Sequence, residues 1–303
     1  MRAMKFMFLL ALLVSLPSFA QGPPPNFPPD QLDSLVARIA LYPDSLVAQI
    51  LAAATYPEQI PDAERWSDEH HYLHGRALAD AIERDRLPWD PSVQALLPFP
   101  SVLEMMSSDL NWTTDLGNAF LGQEGDVMDA VQRGRRRARD YGYLRSNGQI
   151  IVGGGPYITI MPVNPAFITV PYYDPRVVFY APRPGFFVGG AIRFGYGITL
   201  GTYFRPWGWG YNRFDWGGHG VYINNQRWGR TWVNRREYVH RYDGIHRYGP
   251  AERVPERHEL EHRSDHERGY EREGRRAPEE HRGGGHDGGR GRGGDHGGDH
   301  GRH

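Results

Sequence analysis

Apolar positions recur at helical spacing through residues 30–146. Leu32, Leu35, Val36, Ile39 and Ala40 fall on one helix face, and Leu46, Val47, Ile50, Leu51 and Ala54 repeat the pattern beyond Pro43-Asp44. Asp44 stands where an N-cap is expected. Thr55-Tyr-Pro-Glu58 has the form of a capping box opening the next helix, and Asp90-Pro91 carries the N-cap and N1 signature of another. Two more helices are predicted over Asn111–Leu121 and from Asp126 to about Arg145, with Gly122 punctuating between them. In the last of these Val127, Val131, Ala138 and Tyr141 fall inward and the arginines outward. Short amphipathic helices of this kind predict an irregular bundle.

The period then changes. Ile150-Ile-Val152, Tyr157-Ile-Thr-Ile160, Phe167-Ile-Thr-Val170 and Val177-Val-Phe-Tyr180 are β-branched or aromatic runs separated by Gly or Pro. They predict a small sheet of about four short strands packed on the helices. Residues 186–248 combine glycine with large rings, fourteen of them between Tyr196 and Tyr248, and show no clean period apart from a hairpin expected at Asn224-Asn225. That segment is expected as an appendage to a globular unit spanning 30–180. Residues 249–303 hold almost no apolar side chains and are expected to be a disordered tail. The predicted class is α+β.

Ahead of the helices, residues 21–29 read as a proline-rich spacer. Arg2 and Lys5, the apolar run Phe6–Leu16, and Ser18-Phe19-Ala20 have the order of a secretory leader cleaved before Gln21. Export places the mature chain in the periplasm or outer envelope of a Gram-negative cell. The sequence has no cysteine, which excludes disulfides, thiolate zinc sites, cysteine nucleophiles and a lipid-acylated cysteine. Lys5 is its only lysine, so the mature chain has no Schiff-base or P-loop lysine. Serine-hydrolase, zinc-protease and dinucleotide motifs are missing from the sequence.

Candidate chemistry is therefore that of surfaces. Arg133, Arg135, Arg136, Arg137 and Arg139 form the densest basic run. It reads either as a solvated helix face or as a site for anionic lipid, lipopolysaccharide or another envelope component. Nucleic acid is not expected for an exported chain, despite Arg290-Gly-Arg-Gly-Gly294. Trp207, Trp209 and Trp216 offer an aromatic surface for sugar or partner, or else bury themselves against the sheet. Gly185–Phe204 has the length of a membrane span, but its glycines and Arg193 favour glycine-rich strands, so no integral span is expected in the mature chain.

Metal ligation has two candidates. His70 and His74 are four residues apart but sit in what reads as a connection between helices. The tail carries His258, His262, His266, His281, His286, His296, His300 and His303. The first three recur every fourth residue, and imidazoles at that spacing suit Zn²⁺, Ni²⁺ or Cu²⁺. Asp126 and Asp129 lie one turn apart at a helix start, where carboxylates complement the helix dipole. Asp90 and Asp174 sit in Asp-Pro turns, where aspartate has a structural role.

Several stretches carry a resemblance. Leu32-Asp33-Ser-Leu-Val-Ala-Arg-Ile-Ala-Leu-Tyr-Pro-Asp-Ser-Leu46 and Gln49-Ile-Leu-Ala-Ala-Ala-Thr-Tyr-Pro57 are two of them. Pro88-Trp-Asp-Pro-Ser-Val93, Asn111-Trp-Thr-Thr-Asp-Leu-Gly-Asn-Ala-Phe-Leu121, Asp126-Val-Met-Asp-Ala-Val-Gln132 and Val170-Pro-Tyr-Tyr-Asp-Pro175 are the others. Together, over residues 30–180, they resemble the exported bacterial family known as domain of unknown function 3300. The resemblance implies an envelope protein and brings no established catalytic residues with it. The expected function is non-enzymatic binding or scaffolding at the envelope, with metal buffering by the tail second and an envelope hydrolase third.

Overall fold

The computed structural model describes residue 22, residues 24–185 and residues 189–242. The chain divides into residues 1–250 and 251–303, and all described residues belong to the first unit. The tail histidines and the leader expected over residues 1–20 lie outside them.

Eight helices come first: α1 Pro29–Val36, α2 Asp44–Ala54, α3 Ile60–Glu69, α4 Gly75–Asp85, α5 Pro91–Gln94, α6 Pro100–Ser108, α7 Leu110–Gly122 and α8 Glu124–Asp140. Every residue of α2 from Leu46 to Ala54 is buried. A helix apolar on all sides belongs at the centre of a bundle, and α2 is enclosed by its neighbours there. It meets α7 at Gly117, where a methyl group would run into the Ala54 carbonyl. Only a glycine lets the two backbones approach that closely.

Local chemistry departs from expectation at three points in this half. Asp44 does not cap α2 with its side chain, which turns instead to Arg135. Thr55 does not open a capping box; it closes α2, its hydroxyl donating to the Ala52 carbonyl at 2.7 Å. Pro57–Gln59 then makes a 3-10 turn before α3. Tyr141 lies just past the end of α8 with its ring exposed, because the helix stops one residue earlier than its inward spacing requires. Asp90 does cap α5, accepting from the Ser92 backbone N–H at 3.0 Å.

The strand region is a set of ribbons rather than a four-stranded sheet. β1 (Ile150–Val152) pairs antiparallel with β2 (Ile160–Pro162). β3 (Phe167–Ile168) and β4 (Pro171–Tyr173) reach forward to β6 (Ile198–Thr199) and β5 (Ile192–Phe194) respectively. Pro162 and Pro171 have no N–H to extend a ladder, which keeps these ribbons narrow. The last predicted strand is instead a helical turn, α9 (Pro175–Val178). Asp174 accepts from the Arg176 N–H at 2.8 Å, and Pro175 fixes the first helical φ, so the start signal prevails over the β-branched pair that follows.

β7 (Arg213–Asp215), β8 (Gly220–Ile223) and β9 (Gln226–Arg227) form a three-stranded meander. Its β8–β9 turn is at Asn224 and Asn225, with φ of 53° and 60°. Both central residues are left-handed, the geometry of a two-residue hairpin that asparagine tolerates.

The glycine and aromatic segment is not an appendage. Phe204, Trp207, Trp209, Trp216, Val221, Ile223 and Trp228 are buried in the same core as α1–α8. The Trp207 indole N–H donates to Gln94 Oε1 at 2.9 Å, and Gln49 Nε2 donates to the Trp207 carbonyl at 2.8 Å. The Trp209 indole N–H reaches the Ala95 carbonyl at 3.0 Å. No helix among the described residues is long and apolar enough to cross a membrane. The Gly185–Phe204 stretch supplies β5 and β6. The molecule is α+β.

Candidate functional site

The basic run on α8 is the first place where sequence and structure part. Residues 133 and 137 are one turn apart and face α1, where both hold Asp33, Arg133 at 2.7 Å and Arg137 at 3.0 Å. Arg139 pairs with Asp140. Arg136 faces solvent. Arg135 points the other way, and its side chain is 0% exposed. The five arginines are therefore not one set: Arg135 is withdrawn into the core, Arg133, Arg137 and Arg139 are paired with aspartates, and Arg136 faces solvent.

Arg135 is fully committed within the fold. It donates to Asp44 Oδ1 at 2.5 Å and to the carbonyls of Ala40, Ile158 and Tyr42 at 2.8, 2.8 and 3.1 Å. The Trp216 ring lies 5.0 Å from its guanidinium. Asp44 is equally occupied: Oδ1 also accepts from the Ile160 N–H at 3.1 Å, and Oδ2 from the Trp216 indole at 3.3 Å. A buried charge is tolerated only when paired and hydrogen-bonded in this way. The knot ties α8, the α1–α2 connection, the approach to β2 and the aromatic segment at one point.

Trp207, Trp209 and Trp216 are likewise core residues and do not form an exposed aromatic surface. Their indole N–H groups find acceptors inside, which is what lets rings of that size be buried.

The histidine and carboxylate candidates are dispersed. His70 stacks on Trp66 at 4.0 Å and its Nδ1 lies 2.8 Å from the Trp66 carbonyl. His74 precedes α4, so the two do not share a helix. Asp126 accepts from Gln123, and Asp129 faces His219 Nε2 at 3.1 Å. No group of three or more His, Asp or Glu side chains among the described residues is placed to hold a metal. Glu124, beside β8, has its carboxyl raised above the usual range by burial, although it accepts from the Val221 N–H. Asp109 is held below the usual range by the Trp112 N–H and Arg38.

Cavities open on the strand side of the described residues, and two of them exceed 600 Å³. One, of about 610 Å³, lies between the α1–α2 connection and the β4–β5 ribbon, with Tyr42, Tyr172, Tyr173 and Arg193 in its wall. Burial pushes the Tyr42 and Tyr173 hydroxyls far above the ordinary phenol range, so both are neutral. The Tyr173 hydroxyl is spent on the Ala37 carbonyl and the Leu41 N–H. Arg38, also in this wall, is paired with Asp109 at 2.7 Å.

The other, of about 730 Å³, is open to solvent and its walls are mainly apolar. The β1–β2 ribbon gives Ile151, Ile160 and Met161; the β3–β6 region gives Ile168 and Leu200; the aromatic segment gives Trp209 and Phe214. Ile151 and Met161 are directly opposed across the ribbon, and both are close to half exposed. Large apolar side chains on the open face of a two-stranded ribbon are costly unless something covers them. Its only charged residues are Asp44, already consumed by Arg135, and two arginines, Arg205 and Arg213. Sequence reasoning missed this site. The legible signal was the pair of apolar residues at the outward positions of β1 and β2.

A family model described as protein of unknown function (DUF3300) matches residues 28–249. The chain belongs to this family. The DUF3300 match begins just before α1 and runs past β9, so it takes in the aromatic segment and every residue of both cavities. The uncharacterized protein YacH of Escherichia coli (strain K12) is 31% identical over 245 residues. That alignment covers 63% of this chain and 39% of YacH, so the chain spans about two fifths of that relative. No solved structure matches.

Proposed function

We propose that the protein is an exported, non-enzymatic binding protein of the cell envelope, and that the 730 Å³ cavity is where it binds. One observation carries this reading. Four separate stretches of chain, from the α2 start, the β1–β2 ribbon, the β3–β6 region and residues 200–214, converge to line one open, largely apolar space. Ligand sites in proteins have this size, concavity and composition. Export is supported by the leader pattern Arg2, Lys5, Phe6–Leu16 and Ser18-Phe19-Ala20.

A neutral apolar dye such as Nile red is expected to bind the full chain at one site. Met161→Asp, on an exposed ribbon position, is expected to weaken it at least tenfold while leaving the thermal midpoint in place. Dye uptake unchanged by that substitution contradicts the reading. Cell fractionation is expected to recover an envelope protein beginning at Gln21. Recovery from the cytosol with Met1 intact contradicts export.

A second activity is metal holding by the tail, supported by the four-residue spacing of His258, His262 and His266. Calorimetric titration of Zn²⁺ into the full chain and into a chain ending at Pro250 is expected to differ. Uptake by the full chain should fall below pH 6 as imidazoles protonate. Equal stoichiometry and affinity in the two chains removes this activity.

A further inference from the structure

We infer that the ligand of the apolar cavity is a single-chain amphipathic anion. Its hydrocarbon lies along the wall of β1 and β2, and its head group sits between Arg205 and Arg213. The inference rests on the binding role proposed above and names the ligand class.

The charge balance of the cavity leads to it. Asp44 is the only carboxylate in the lining, and both its oxygens are engaged by Arg135, the Ile160 N–H and the Trp216 indole. No uncompensated negative charge therefore faces the space. Arg205 and Arg213 have no ion-pair partner among the described residues, unlike Arg38, Arg133, Arg135 and Arg137, each of which holds an aspartate. What steadies them is aromatic. The Arg213 guanidinium lies 4.1 Å from the Tyr222 ring centre, and that of Arg205 lies 5.8 Å from Tyr211. A ring face orients a guanidinium without neutralising it, so its N–H fork stays available to a carboxylate or phosphate.

Ser45 Oγ and Asn212 Nδ2 also belong to lining residues but are enclosed, so the side-chain charge open to the space is that of the two guanidinia. Cations on one side and aliphatic walls on the other fit a molecule with an anionic head and an apolar tail. A neutral sugar would leave the apolar walls uncovered, and a cation would meet Arg205 and Arg213.

The test uses the full chain at pH 7.5 and low salt, with ligands kept below micelle formation. Dodecanoate and its neutral counterpart dodecanol are titrated calorimetrically. Dodecanoate is expected to bind one to one and at least about tenfold tighter than dodecanol, the range of a charge-assisted hydrogen bond. Shortening the acid from twelve carbons to ten and eight should weaken binding by up to about fourfold per methylene. The double variant Arg205→Gln/Arg213→Gln, at exposed positions, should abolish the preference for dodecanoate over dodecanol. Lysophosphatidylglycerol serves as a second anion, and its affinity relative to dodecanoate separates a phosphodiester source from a carboxylate source.

Equal affinity for dodecanol and dodecanoate, or a preference that survives loss of both arginines, overturns the anion assignment while the cavity reading stands. Failure of Nile red, dodecanol and dodecanoate alike overturns both.

Discussion

Residues 29–140 and residues 189–242 contribute to the same core by opposite means. The helical part buries many small and medium side chains at regular spacing: α2 alone encloses Leu46, Val47, Ile50 and Leu51 among alanines. The aromatic part buries few residues, but large ones. Phe204, Trp207, Trp209, Trp216 and Trp228 enter from loops and short strands, each placed by a turn rather than by a repeat. Periodicity brings one set inward as a face. In the other, Trp207, Trp209 and Trp216 each have their own indole acceptor, and every ring is placed singly. Regular burial tolerates substitution by volume, whereas single-ring burial depends on specific partners. The cavity lies where the two contributions meet across the β1–β2 ribbon.

The comparison can be broken first at Arg135, which belongs to the helical part but is held by both. Arg135→Ala leaves Asp44 without its counter-charge in a mostly buried position. It is expected to cost about 3–5 kcal/mol in urea unfolding. Trp207→Ala removes a buried ring and leaves Gln94 Oε1 without its indole donor. About 3–5 kcal/mol is expected from the same measurement. Gly117→Ala tests the regular part: its methyl meets the Ala54 carbonyl, and overpacking of that kind costs about 1–3 kcal/mol.

A smaller effect is expected at Glu124, where the meander docks on α8. Burial raises its carboxyl above the usual range. The unfolded chain then releases this proton at lower pH than the folded one. Stability from this group is full below the unfolded value and declines as pH rises through the folded value. Glu124→Gln keeps an acceptor for the Val221 N–H and removes that decline. The variant should gain on the parent between pH 4 and pH 7, and a constant difference across that range contradicts the assignment. The smallest effect is Arg136→Gln, at an exposed helix position, expected within about 0.5 kcal/mol of the parent. The contrast between Arg135 and Arg136, adjacent in sequence, measures how completely helical position decides an arginine's role.

The helical part was legible because helices declare themselves within a dozen residues. Val127, Val131 and Ala138 are buried as their spacing requires, and Asp90 caps where Asp-Pro predicts. The Asn224-Asn225 turn was legible for the same reason, since its signal is local. Asp44 and Arg135 were not, because their partnership joins residues 91 apart and neither end marks the other. Nor was the burial of Trp207, which depends on Gln49 and Gln94, both distant in the chain. Val177–Tyr180 has the β-branched and aromatic composition of a strand, but the Asp174-Pro175 start signal beside it prevails. The cavity escaped notice because its lining is assembled from four stretches, none of which carries a motif.

The central claim is that the glycine and aromatic segment completes one core with the helices and so frames the cavity. Urea unfolding of two chains, residues 21–180 and residues 21–250, tests it most directly. The longer chain is expected to unfold in a single cooperative transition. The shorter one, without Phe204, Trp207, Trp209, Trp216 and Trp228, should lose cooperativity or unfold at a much lower midpoint. A 21–180 chain that unfolds cooperatively at the midpoint of the longer one would contradict the claim and return the segment to the status of an appendage.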